Sequence, residues 1–121
     1  MSTQTTKSEY LVLCRGINWE KSLSPEEIRN ALSQLYAWFE RLTNEGKIKG
    51  VRRLGEEGKI LTGGKAVTDG PFPESKEAIA GYWVIQADTL EEAVEIAKGN
   101  PLLRYGETLE VRPILPEGST L

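Results

Sequence analysis

The segment Ser24-Pro25-Glu26-Glu27 constrains the fold of this chain more than any other. Ser24 suits a helix N-cap, and Pro25 occupies the first helical position at no cost in donors. Glu27, three residues past the cap, completes a capping box. Behind this start signal Ile28, Leu32, Leu35, Phe39 and Leu42 recur at helical spacing, flanked by Ala31 and Trp38. They form one apolar stripe on a helix that Gly46 is placed to stop.

A helix with a single apolar stripe needs a surface to cover. Short apolar runs supply it. Tyr10–Cys14 has the length of a buried strand, and Ile79–Ala87 reads as a second clear strand. Thr108–Ile114 reads as the last, with Leu109 and Val111 on one face and Glu110 and Arg112 on the other. Asp88-Thr89 caps a second helix with Glu91 and Glu92 in its first turn. Leu90, Ala93, Val94 and Ala97 make its apolar face, and Gly99-Asn100-Pro101 ends it. Between the first helix and the 79–87 strand, Lys47–Leu54 and Lys59–Val67 are expected to pair as a hairpin around Gly55-Glu56-Glu57-Gly58. Gly63-Gly64 would let the second arm bend, and Thr68–Pro73 is expected to be irregular.

The order strand, helix, strand hairpin, strand, helix, strand predicts an α+β domain of the split β-α-β kind, with both helices on one face of an antiparallel sheet. The strand containing Tyr82, Trp83, Val84 and Ile85 is bulky on both faces. Helices cover one face only, and the other would expose an apolar patch. A second copy of the chain is the expected cover, giving a homodimer with its sheets face to face around a barrel-like cavity. The domain is expected to span 8–115, with a disordered tail over 1–7 and a C-terminal tail over 116–121.

Composition narrows the function. A chain of 121 residues is one domain, large enough to need no metal or disulfide staple. The net charge is −3 with both signs scattered, so nucleic acid is not an expected partner. No apolar run approaches a membrane span, and Met1–Ser8 lacks the apolar core of a signal peptide. Cys14 is the single cysteine and cannot close an internal disulfide, which suits a cytoplasmic location. The chain contains no histidine. That excludes Ser-His-Asp and Cys-His nucleophile pairs, imidazole acid/base catalysis and histidine-containing metal sites. Neither a cofactor nor a metal is expected. Gly55, Gly58, Gly63 and Gly64 lack the phosphate-loop spacing, and Glu56, Glu57, Glu91, Glu92 and Glu95 lack metal-site spacing.

Several motifs together resemble the YCII-related, or DGPF-domain, family of small bacterial proteins. They are Leu61-Thr62, Thr68-Asp69-Gly70-Pro71-Phe72, Glu74-Ser75-Lys76-Glu77, Gly81-Tyr82-Trp83 and Leu109-Glu110-Val111-Arg112-Pro113, with Ser24-Pro25-Glu26-Glu27 resembling the family's first-helix start. The resemblance covers about residues 8–115. It implies a ferredoxin-like α+β domain that pairs into a dimeric α/β barrel. Some family members are thought to use a His–Asp pair in the barrel cavity, and a related member is a dehydrochlorinase. The histidine half has no counterpart here. Some members are encoded beside sigma factors, which implies regulation.

Asp69, at the family's motif aspartate, is the candidate catalytic residue. A desolvated carboxyl at a cavity mouth is suited to general-base work. Before Gly-Pro it is equally suited to accept turn N–H groups, which would lower its pKa. Phe72, Lys76, Tyr82, Trp83 and Arg112 are the candidate ligand-binding residues; the alternative is packing for Phe72, Tyr82 and Trp83, solvation for Lys76, and cross-strand or intersubunit pairing for Arg112. Arg52-Arg53 would suit an anion or a solvated strand edge, and Cys14 suits buried packing. The function expected is a non-catalytic small-ligand-binding or regulatory module, for which a regulatory protein is a candidate partner. The alternative is a cofactor-independent lyase or isomerase acting on a small aromatic or hydroxylated molecule through Asp69.

Overall fold

The computed structural model describes residues 7–15, 19–55, 57–63, 65–69 and 79–118, and for 62 and 65–69 it describes the backbone alone. The order is β1 (Ser8–Arg15), α1 (Pro25–Asn44), β2 (Ile48–Arg53), β3 (Lys59–Thr62), β4 (Lys65–Asp69), β5 (Gly81–Ala87), α2 (Leu90–Ala97), a short 3-10 helix (Pro101–Tyr105) and β6 (Thr108–Pro113). Four strands form one sheet in the order β2-β5-β1-β6, antiparallel throughout. β5 lies between the two strands that α1 connects, and β1 between the two that α2 connects. This is the expected α+β class with two split β-α-β units.

Both helices begin as their residues dictate. The Glu27 backbone N–H donates to Ser24 Oγ at 3.1 Å and the Ser24 N–H donates to Glu27 Oε1 at 2.8 Å, closing the capping box. Thr89 caps α2 by accepting from the Glu92 N–H at 3.1 Å. Ala31, Leu35, Trp38 and Leu42 bury the α1 stripe, and Ala93 and Ala97 that of α2. These residues meet Tyr10 and Val12 of β1, Ile48 of β2, and Trp83, Ile85 and Ala87 of β5 in one core. Both helices therefore cover the same sheet face. Trp38 comes close because residue 99 is glycine; a Cβ there would lie 2.8 Å from its Nε1.

The other sheet face carries Leu11 and Leu13 of β1 and Tyr82 and Val84 of β5, all half-buried and outside that core. Leu11 stands opposite Val84, and Leu13 opposite Tyr82. Charged side chains flank them: Arg15 Nε donates to Glu110 Oε1 at 3.0 Å, and Lys49 pairs with Glu9.

One expectation is overturned. The 47–54 and 59–67 segments do not form a hairpin with each other. β2 pairs with β5, bringing Ile48 opposite Ile85 in the core, whereas β3 pairs with β4 in a separate two-stranded sheet. The chain reverses between Thr62 and Lys65, which stand opposite each other, and Gly63 takes a φ of +64° there. A tight hairpin turn needs such a left-handed residue, so Gly63 serves the reversal instead of bending one strand. The 54–58 segment then serves as a connection leaving the main sheet. β4 also continues through Thr68 and Asp69, two residues into the stretch expected to be irregular. Of the expected tails, residues 1–6 and 119–121 lie outside the described residues. No helix among the described residues is long and apolar enough to cross a membrane.

Candidate functional site

A cavity of about 580 Å³ opens between α1 and the β2–β5 side of the sheet. Leu32, Leu35 and Phe39 of α1 form one wall, and Cys14, Val51 and Trp83 of the sheet form the opposite one. Trp19 and Glu20, just ahead of α1, close one side, and Asn100, Leu102 and Glu107 close another. The exposed side chains of Tyr36, Arg52, Arg53 and Leu54 mark the rim. The register of β2 shifts between Lys49 and Arg52, where Gly50 adopts a φ of +67°. Such a bulge re-aims the side chains that follow it, and Val51, Arg52 and Arg53 all reach the cavity.

Local chemistry also explains the Glu107 wall. Asn100 caps the 3-10 helix by accepting from the Leu102 N–H at 2.8 Å, and Gly106 ends it at a φ of +95°. The left-handed glycine turns the chain back so that the Glu107 N–H donates to the Leu102 carbonyl. Glu107 is thereby set inward, 9% exposed, and among the described residues its Oε1 has no hydrogen-bond partner. Burial pushes its carboxyl up to about 7, and the negative charge of Glu20 adds to the rise. At neutral pH the group is poised between a hydrogen-bond donor and an anion.

Burial also pushes the Cys14 thiol up to about 12, with the Glu107 charge adding to the effect. The neighbouring Trp83 indole opposes that rise without reaching hydrogen-bond geometry, and Trp83 Nε1 has no partner among the described residues. Cys14 is thus a protonated, unreactive part of the wall. Trp83 is 1% exposed and is held edge-on by two rings: Trp38 at 87° and Phe39 at 73°, each with its centroid 5.4 Å away. The arrangement offers apolar and aromatic inner walls with exposed Glu20, Arg52, Arg53 and Glu57 around them, a combination suited to a small-molecule site. No cluster of three or more histidine, cysteine, aspartate or glutamate side chains suited to a metal occurs among the described residues.

Of the residues expected from sequence, Tyr82 and Trp83 line this cavity. Arg112 does not; it is exposed on β6, its Nε 3.9 Å from Glu110 Oε2. Asp69 ends β4 opposite Lys59, and its side chain lies outside the description. Phe72 and Lys76 lie outside the described residues. Glu20, Asn100 and Glu107 were not among the expected site residues. The signal for Glu107 was present in Asn100-Pro101 followed by Gly106, a start and a stop around a single helical turn. Burial of the glutamate after that stop was not readable from residue type, because glutamate is seldom buried.

The comparisons agree with this fold. A family model described as the YCII-related domain matches residues 9–117. An uncharacterized protein of Rhizobium meliloti (strain 1021) is 32% identical over 115 residues, spanning 87% of this chain and 90% of that protein. A match over nearly the whole length, together with this α+β architecture, makes the chain a member of the YCII-related family.

Proposed function

We propose that this YCII-related chain is a small-ligand-binding module whose site is the cavity between α1 and the β2–β5 side of the sheet. The observation that carries this reading is the cavity itself. It has the volume of a small-molecule site, with walls from Phe39 and Trp83 and convergent polar groups from Asn100 and Glu107. The module works as a homodimer. Leu11, Leu13, Tyr82 and Val84 form an apolar strip on the sheet face that no helix among the described residues covers, and a second copy would bury it and complete a barrel.

A thermal-shift screen against a small-metabolite library, followed by titration on tryptophan fluorescence, tests the reading. A ligand at 100 times its Kd stabilises the fold by about 2.7 kcal/mol. Hits are expected for the native chain and not for Leu32→Trp, which fills the cavity from α1. A screen without hits, or hits unaffected by Leu32→Trp, would overturn the assignment of the site.

A further inference from the structure

A buried acid, Glu107, and an exposed one, Glu20, both line this cavity. Glu107 is nine-tenths buried, and among the described residues its Oε1 has no hydrogen-bond partner. Among the described residues no ion pair reaches Glu107 or Glu20, although the two are close enough for the charge of one to disfavour the charge of the other. Carboxylates are rarely left inside a protein in this way, because removing one from water is costly unless a cation or hydrogen bonds replace the solvent. A second buried polar atom, the indole N–H of Trp83, is also unpartnered in the same cavity. The surrounding walls include the rings of Trp19, Phe39 and Trp83, whose π-faces attract cations.

We propose that the cavity takes an organic amine in its protonated form, with an apolar body against the aromatic walls and an ammonium head paired with Glu107. This rests on the ligand-binding reading above and names its ligand class. The head supplies the cation that the buried Glu107 lacks, and the exposed Glu20 adds to the attraction. An acceptor atom beside the ammonium satisfies the Trp83 N–H. Arg52 and Arg53 also line the cavity, but both are exposed. Their repulsion acts through water and salt, whereas the Glu107 attraction acts where water is excluded and is correspondingly stronger.

Three probes that share a phenyl ring and a hydroxyl but differ in their head test the proposal: 2-amino-1-phenylethanol, 1-phenylethanol and mandelate. Binding is read from tryptophan fluorescence at pH 8. The amine is expected to bind on the order of tenfold more tightly than the neutral alcohol, as a charge-assisted pair requires. Mandelate is expected to bind most weakly. Glu107→Gln should erase the advantage of the amine, and Glu20→Gln, a substitution on the exposed surface, should reduce it several-fold without affecting the fold. Equal binding of amine and alcohol would overturn the ammonium assignment while leaving the ligand site standing. So would mandelate binding best, since the arginine rim would then select the ligand. If no probe binds but the library screen yields hits blocked by Leu32→Trp, only the amine inference fails. If neither experiment yields a ligand, both readings fail.

Discussion

The indole of Trp83 stands edge-on to that of Trp38, with ring centroids 5.4 Å apart and planes at 87°. One ring belongs to the central strand β5 and the other to α1, so this contact fastens the long helix to the sheet beside the cavity. Trp83→Ala should cost about 3–5 kcal/mol, the usual range for removing a large buried aromatic. Trp83→Phe keeps an aromatic in place and removes an unpartnered N–H, so it should cost well under half as much. Urea unfolding followed by circular dichroism checks both values. Equal losses would mean that the ring contact contributes little.

Glu107 makes stability depend on pH in a defined direction. Its carboxyl is raised from 4.5 to about 7 in the folded protein, so between these values the folded state holds a proton that the unfolded state has released. Its contribution is complete below about 4.5, declines as pH rises towards 7 and is lost above it. The loss is on the order of 3 kcal/mol, from about 1.4 kcal/mol per pKa unit. Glu107→Gln should therefore gain stability relative to the native chain between pH 5 and pH 8. Denaturant midpoints at the two pH values measure this, and a constant difference between the proteins would contradict the burial of the carboxyl.

Cys14 should behave as an inert thiol. With its pKa at about 12, almost none is thiolate at pH 8, and thiolate is the reactive form. Labelling by iodoacetamide at pH 8 should be slow in the folded chain and rapid in urea. Comparable rates in both conditions would place the thiol in solvent.

The capping box of α1 should have a measurable worth. Ser24→Ala removes the acceptor of the Glu27 N–H and should cost about 1 kcal/mol. Ser24→Asp keeps an acceptor and should restore most of that stability. Thermal unfolding of the three proteins distinguishes the cap from a nonspecific surface effect.

Val84→Arg places a charge in the centre of the uncovered sheet face, opposite Leu11. Light scattering at micromolar concentration should report a mass near twice 13.5 kDa for the native chain and near 13.5 kDa for the variant. A native chain that is already monomeric would remove the homodimer from the proposed function.

The parts of this fold that were legible in the sequence are those decided within a few residues. Ser24 and Glu27 close their cap locally, the apolar stripe of α1 repeats at the helical period, and Trp83 and Ile85 alternate with Tyr82 and Val84 along β5. The pairing of β2 was not legible. The glycine-flanked connection at 55–58 read as the reversal and Gly63-Gly64 as a bend, and only the tertiary fold places the reversal between Thr62 and Lys65. The candidate site was legible in its aromatics, Tyr82 and Trp83, but not in its acids.

The sequence by itself determined that this chain builds two capped helices and a set of apolar strands, without histidine chemistry. Those properties follow from side-chain type and spacing along a local stretch of backbone. Tertiary structure decided that Ile48 meets Ile85 and that Cys14, Trp83 and Glu107, distant in sequence, wall one cavity. It also decided that Glu107 holds its proton up to about pH 7. Burial and the charge of a neighbour set a pKa, and both depend on which remote segments pack around the group.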